Sequence, residues 1–206
     1  MKSGRRRLKL AGGAVLALTV AIASEASAQQ ITIDDFSDPA TGWTIIDEPA
    51  VQAGYVDGGY QIYATQQVGL IYATSDFVLG DGVITVEATD LPDSAFHYKG
   101  IFLRSSNRAN LFGFMIVPDG TTLSFHYQAG ELFQNESINL DPGLYRQGEP
   151  NIFRVVAEGR RLTFSVNGQV LAEANSAPAF GFAGLVISPG NELSGTFFDN
   201  WRVEQP

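Results

Sequence analysis

The chain has no cysteine among its 206 residues. That absence removes disulfide stapling, a thiolate nucleophile and a lipid-modified N-terminal cysteine together. Whatever holds the fold must therefore be a hydrophobic core. Histidine is nearly absent too: His97 and His126 are the 2 in the chain, which leaves no His- or Cys-rich metal constellation. Positive charge is scarce, with 13 Lys and Arg against 22 Asp and Glu and a formal net charge of −9. A phosphate backbone would be repelled by such a surface, and Arg160-Arg161 falls at the tip of a predicted hairpin, not in a basic patch. Nucleic acid is excluded as a partner. Helical periodicity is missing as well, since no stretch places apolar residues at i, i+3, i+4 and i+7 over a helical length.

The one long apolar run lies near the start. Lys2, Arg5, Arg6, Arg7 and Lys9 precede an apolar stretch over 10–23, and Ala26-Ser27-Ala28 offers the small residues of a peptidase site. Residues 1–28 are therefore expected to be a cleaved signal peptide, exporting the protein to a periplasm or beyond the cell by the general or the twin-arginine route. The run is shorter than the roughly 20 residues that span a bilayer, so no transmembrane anchor is expected after cleavage. Residues 29–206 would form one domain carrying about −13, a balance that suits solubility, a cation or a neutral ligand.

Within that domain, strand signals recur at short spacing. Residues 54–63, Gly-Tyr-Val-Asp-Gly-Gly-Tyr-Gln-Ile-Tyr, read as strand, tight turn, strand, because Asp-Gly and Gly-Gly reach the positive φ of hairpin turns. The same punctuation appears at Asp81-Gly82, Asp119-Gly120 and Asn167-Gly168. Leu162, Phe164 and Val166 alternate with Arg161, Thr163 and Ser165, the period of a half-buried strand. An all-β, two-sheet antiparallel sandwich of jelly-roll type follows. Two acidic-aromatic strings bracket it, Asp34-Asp35-Phe36-Ser37-Asp38 with Gly42-Trp43, and residues 197–203 (Phe-Phe-Asp-Asn-Trp-Arg-Val). Both are β-type, which predicts that the N- and C-terminal strands lie side by side and cover each other's edges. Residues 135–150 are weakly patterned and are expected to form a surface loop.

The succession of Asp-Asp-Phe-Ser-Asp with Gly-Trp, Asp57-Gly58-Gly59-Tyr60, Gly100-Ile-Phe-Leu-Arg104, Phe114 to Gly120, Asn151-Ile-Phe-Arg154, Phe164-Ser-Val-Asn-Gly168, Gly184-Leu185 and Phe198-Asp-Asn200 resembles the concanavalin A-like lectin/glucanase superfamily. Within it the pattern is most similar to bacterial laminin-G-like domains and the 3-keto-disaccharide hydrolase-type domain. The resemblance implies a jelly roll with one concave sheet and glycans as usual ligands. Glycoside hydrolysis needs two facing carboxyls about 5 Å or roughly 6.5 to 9.5 Å apart. The Glu-x-Asp-x-x-Glu string of related glucanases does not occur here, and Glu87, Asp90, Glu131 and Glu136 read as solvated surface acids. The expected function is an exported, non-catalytic module that binds a carbohydrate or cell-envelope glycan. A glycoside-processing hydrolase and an adhesive, protein-binding domain are the alternatives.

Over 122–128, Leu123, Phe125 and Tyr127 alternate with Ser124, His126 and Gln128, while Phe102 and Arg104 oppose Ile101 and Leu103. If the polar faces coincide, Arg104, Ser124, His126 and Gln128 form a hydrogen-bonding patch, with Tyr98, Tyr127 and Trp43 as flat apolar walls for a sugar. The plainer reading makes His126 a satisfied sheet residue, Arg104 an edge cover and Trp43 a core cap. Strict alternation also turns Asp199 inward beside Asp34 and Asp35. Such a carboxylate needs partners, and two are open: a structural Ca²⁺ held by Asp34, Asp35 and Asp199, or backbone amides and Arg202.

Overall fold

The alternating segments of the sequence become strands in the computed structural model, which describes residues 30–107, 110–129, 131–138, 143–175 and 178–206. The expected signal peptide over 1–28 lies outside the described residues. In chain order the strands are β1 (Gln30–Asp34), β2 (Ile46–Glu48), β3 (Val51–Val56), β4 (Gly59–Ala64), β5 (Ile71–Leu79), β6 (Gly82–Asp90), β7 (Tyr98–Asn107), β8 (Asn110–Ile116), β9 (Thr121–Gln128), β10 (Glu131–Ile138), β11 (Asn151–Glu158), β12 (Arg161–Val166), β13 (Gln169–Asn175), β14 (Gly181–Ser188) and β15 (Ser194–Gln205). They build two antiparallel sheets. A nine-stranded sheet runs β13-β12-β11-β6-β15-β4-β3-β2 with β1 paired to β15, and a six-stranded sheet runs β10-β9-β8-β7-β14-β5.

The hairpin signals act as read except Asp81-Gly82, which joins β5 to β6, strands of different sheets. Asp57-Gly58 and Asn167-Gly168 take φ of 51°, 79° and 50°, 86°, the paired positive values of a two-residue turn whose twist matches the strands it joins. The termini meet as predicted: β1 pairs with β15 from Gln30↔Gln205 to Asp34↔Trp201. Residues 135–138, expected to open a loop, instead complete β10, where Asn135↔Ser124 and Ser137↔Thr122 continue the ladder.

Between the sheets lies the main core. Ile84, Val86, Phe153, Val155, Phe164, Phe198 and Trp201 of the larger sheet face Ile101, Leu103, Phe114, Leu185 and Ile187 of the smaller. Phe114 stacks on Phe164 with ring centroids 5.3 Å apart, so one aromatic pair bridges the layers. At the end near the chain's start, Trp43 sits edge-on to Phe36 at 5.1 Å and to Trp201 at 5.2 Å.

Candidate functional site

Bulges decide where the candidate residues point. In β7 the register shifts between Leu103 and Asn107, and Arg104 takes φ 50°. A bulge adds one residue to a strand and reverses the alternation beyond it. Arg104 therefore does not share the face of Phe102. It turns into the end of the sandwich, 0 % exposed, where its guanidinium donates to Gly80 O at 3.1 Å, to Gly159 O and to Asp81 Oδ1 at 2.9 Å. Burial lowers its pKa and the Asp81 carboxylate opposes that shift. Arg104 closes one end of the sandwich and is removed from the ligand patch.

The faces of β9 are reversed relative to the expected patch. Phe114 is a core residue paired with Ser124, and Phe112, packed against the same core, is paired with His126, so Ser124, His126 and Gln128 point to the inter-sheet side. They lie where the two sheets part at their rim. There a hollow of about 750 Å³ opens between the β9–β10 hairpin and β13, lined by Phe112, Ser124, His126, Phe133, Asn135 and Glu173 among others. Arg104 and His126 thus do not form one patch on an open sheet face. Trp43 is no wall either. It is 3 % exposed and its indole Nε1 donates to Asp34 Oδ2 at 2.9 Å.

Leu123, Phe125 and Tyr127 take the other side, the outer face of the six-stranded sheet. A second apolar cluster covers it: Phe102, Leu111, Met115, Leu123, Phe125 and Val186, with half-buried Leu70, Tyr72, Tyr98, Tyr127 and Phe182 packed against them. One row of this face reads Thr74, Gly184, Phe102, Gly113, Phe125, Gln134 across all six strands. Its glycines have a steric cause. A Cβ on Gly184 would meet the Phe102 ring at 2.8 Å, and one on Gly113 would meet the Phe125 ring at 2.8 Å. Each ring lies across the neighbouring strand. At the β5 side a hollow of about 450 Å³ is lined by Tyr72, Thr74, Asp76, Phe102, Leu111 and Phe182 among others, with Tyr72 edge-on to Phe102 at 5.9 Å. Towards the β10 side, Tyr98 places its hydroxyl 3.4 Å from Glu136 Oε1. Burial and then the Glu136 charge raise its pKa. Of the residues singled out beforehand, Tyr98 and Tyr127 belong to this face.

The terminal carboxylates do not assemble an oxygen cage. Asp34 accepts from Phe36 N at 2.8 Å as well as from Trp43 Nε1, Asp35 accepts from Ser37 N at 3.0 Å, and Asp199 accepts from Asn200 N at 2.7 Å. A bulge with Asn200 at φ 54° shifts β15 between Asp199 and Arg202. Phe198, Trp201 and Val203 face inward, and Asp199 is half-exposed. Among the described residues no group of three or more His, Cys, Asp or Glu is gathered to hold a metal ion. Each of the three carboxylates thus has a backbone N–H donor of its own.

Sequence reasoning missed the most polar part of the interior. Asp90, read as a surface acid, is 8 % exposed, and Lys99 and His97 are 0 % and 1 % exposed. Lys99 Nζ donates to Asp90 Oδ1 and to Tyr145 Oη at 3.2 Å, and Tyr145 donates to Asp90 Oδ2 at 2.9 Å. His97 Nδ1 lies 2.8 Å from Ala95 O, and Nε2 lies 2.8 Å from Thr196 Oγ1 and 3.9 Å from Asp90 Oδ1. Burial is the main cause that lowers the Lys99 pKa, and burial followed by the Asp90 charge raises that of Tyr145. With every polar atom satisfied, this network ties the segment around Tyr145 onto the end of the sandwich opposite Arg104. Lys99, on the core-facing register of β7 with Ile101 and Leu103, was the signal that could have exposed it.

Comparison with known proteins yields no matching family model and no matching curated protein. Solved structures do match. The carbohydrate-binding module CBM66 from Bacillus subtilis has a TM-score of 0.59 at 16% identity, with 80% of this chain and 92% of that one covered. The catalytic domain of an endo-1,3-β-glucanase (laminarinase) from Thermotoga petrophila has a TM-score of 0.60 at 11% identity, covering 86% and 98%. A Bacillus subtilis protein of unknown function with a galectin-like fold has a TM-score of 0.62 at 12% identity, covering 84% and 94%. Two antiparallel sheets, joined termini and these likenesses together give the chain the jelly-roll fold of the concanavalin A-like lectins and glucanases.

Proposed function

We propose that the protein is a non-catalytic glycan-binding module whose ligand lies on the outer face of the six-stranded sheet, in the hollow over Phe102. The observation that carries this reading is the composition of that hollow: Tyr72, Phe102 and Phe182 supply aromatic surface, and Thr74 and Asp76 supply polar groups beside it. A sugar ring has an apolar C–H face and hydroxyl edges, so an aromatic wall next to fixed acceptors matches both. The carbohydrate-binding module and the laminarinase domain among the similar folds support the ligand class.

Among the described residues the hollow over Phe102 is lined by one carboxylate, Asp76 on β5, while Glu136 stands on β10 at the other edge of the sheet. Five strand spacings of about 4.8 Å separate those edges, well beyond the window of about 5 to 9.5 Å in which paired carboxyls cleave a glycosidic bond. Export to the cell envelope belongs to the same reading, motivated by the basic and apolar start of the chain.

A glycan array on residues 29–206, followed by calorimetry with Tyr72→Ala, tests the reading. At least one neutral glycan should bind, and the substitution should weaken it tenfold or more while the variant stays folded by circular dichroism. Release of new reducing ends would transfer the protein to the hydrolase alternative. Binding undiminished by Tyr72→Ala would remove the hollow as the site.

A further inference from the structure

We infer that the rim hollow between the β9–β10 hairpin and β13 is a second binding site, shaped for one unit of a neutral polyhydroxylated ligand such as a terminal sugar residue. It lies on the opposite side of β9 from the outer face, so it does not depend on the site over Phe102.

Two inward positions of β13 are small and leave room for the hollow. Ala174 pairs with Leu162 and Ala172 with Phe164, so methyl groups stand where larger side chains would close the rim. The facing sheet meanwhile changes character along one row, from core Phe114 on β8 to Ser124 on β9 and Asn135 on β10. In the next row His126 sits between two aromatic rings, 6.0 Å from Phe112 and 6.4 Å from Phe133. Phe133 is 54 % exposed, an apolar ring that a core would have covered. The hydroxyl of Ser137 donates to Leu171 O at 3.4 Å and ties β10 to β13 beside the opening.

Hydrogen-bonding capacity is unspent here. Neither Ser124 Oγ nor either ring nitrogen of His126 has a hydrogen-bond partner among the described residues, whereas the buried polar groups at both ends of the sandwich are all satisfied. A hydroxyl, an imidazole and the Asn135 amide converge beside an aromatic wall, which is the donor, acceptor and apolar mixture that a sugar unit needs. Charge selects against anions. The carboxylate at the mouth, Glu173, is held by Arg161 at 2.6 Å, leaving that guanidinium already paired. A volume of about 750 Å³ falls in the usual range for small-ligand sites.

The chain's 2 histidines make the test direct. The imidazole signals of residues 29–206 are followed by NMR during titration with glucose, galactose and N-acetylglucosamine. His126 signals should move saturably with at least one sugar, while those of buried His97 stay in place as an internal control of folding. Ala174→Phe, which fills the hollow, should abolish the response, and Tyr72→Ala should leave it intact even if the outer-face reading fails. Stationary His126 signals with all three sugars, or an equal response in Ala174→Phe, would overturn the proposal. Should Ala174→Phe disturb His97, Ser124→Ala decides instead. It removes one hydroxyl and should weaken binding by about tenfold, near 1.4 kcal/mol; unchanged affinity would count against the site.

Discussion

His97 should make the fold acid-sensitive in a window where most carboxylates are still ionised. Its ring is buried. An N–H at Nδ1 donates to Ala95 O, and Nε2 accepts from the Thr196 hydroxyl, so the neutral ring is already satisfied. Burial first, and then the Lys99 ammonium, lower its pKa to about 4 from the ordinary 6.5, against the weaker opposing pull of Ala95 O and Asp90. In the unfolded chain the imidazole titrates near 6.5. Between those two values the unfolded state therefore binds more protons, and stability must fall as the pH falls. The contribution is whole above about pH 6.5 and is lost towards pH 4. From pH 7 to pH 5 the loss is about 2 kcal/mol, at roughly 1.4 kcal/mol per pH unit over the span below 6.5. For a domain of this size that corresponds to about 4 to 8 °C in melting temperature. Urea unfolding at pH 7, 6 and 5 of the wild type and of His97→Gln, which keeps a neutral acceptor, isolates the effect from other groups. The variant should show a shallower dependence by about that amount. Equal slopes in the two proteins would refute the reasoning.

Two further predictions concern residues that the structure moved away from ligand binding. Arg104→Ala should destabilise by about 3 kcal/mol in urea unfolding, because Gly80 O and Gly159 O lose their donor inside the end of the sandwich; Arg104→Lys should not recover it, since one ammonium cannot reproduce the guanidinium fork. A chelator should leave the melting temperature unchanged in both the wild type and Asp199→Asn, because Asp34, Asp35 and Asp199 each accept from a backbone N–H; a chelator-induced drop that Asp199→Asn abolishes would restore calcium.

The fold was legible because its cues are local. Asp57-Gly58 and Asn167-Gly168 reach positive φ within two residues, and turns of that kind fix the register of the strands they join. The joined termini were legible for a related reason: two short aromatic-acidic strands at the ends of one sandwich each need an edge partner. What local cues could not supply is the position of a bulge. Arg104 at φ 50° and Asn200 at φ 54° are ordinary residues to a reader of the sequence, yet each shifts the register of its strand. Arg104 left the expected patch at one of these positions, and Asp199 left the expected metal site at the other.

The β9 error has a different physical origin. Leu123, Phe125 and Tyr127 alternating with Ser124, His126 and Gln128 fixes two faces, and burial favours placing the apolar one inside. That inference assumes that a sheet has one wet side. Here the six-stranded sheet is apolar on both, with Ile101, Leu103 and Phe114 in the inter-sheet core and Phe102, Met115 and Phe125 in the outer cluster. At β9 the inter-sheet side has reached the rim of the sandwich, where polar residues are tolerated beside the small Ala172 and Ala174 of the opposing β13. Polarity on the inter-sheet side of β9 therefore reports distance from the sandwich axis. Period-2 alternation can say that Ser124 and His126 share a face, but only the pairing of Ser124 with Phe114 and of His126 with Phe112 says which face that is.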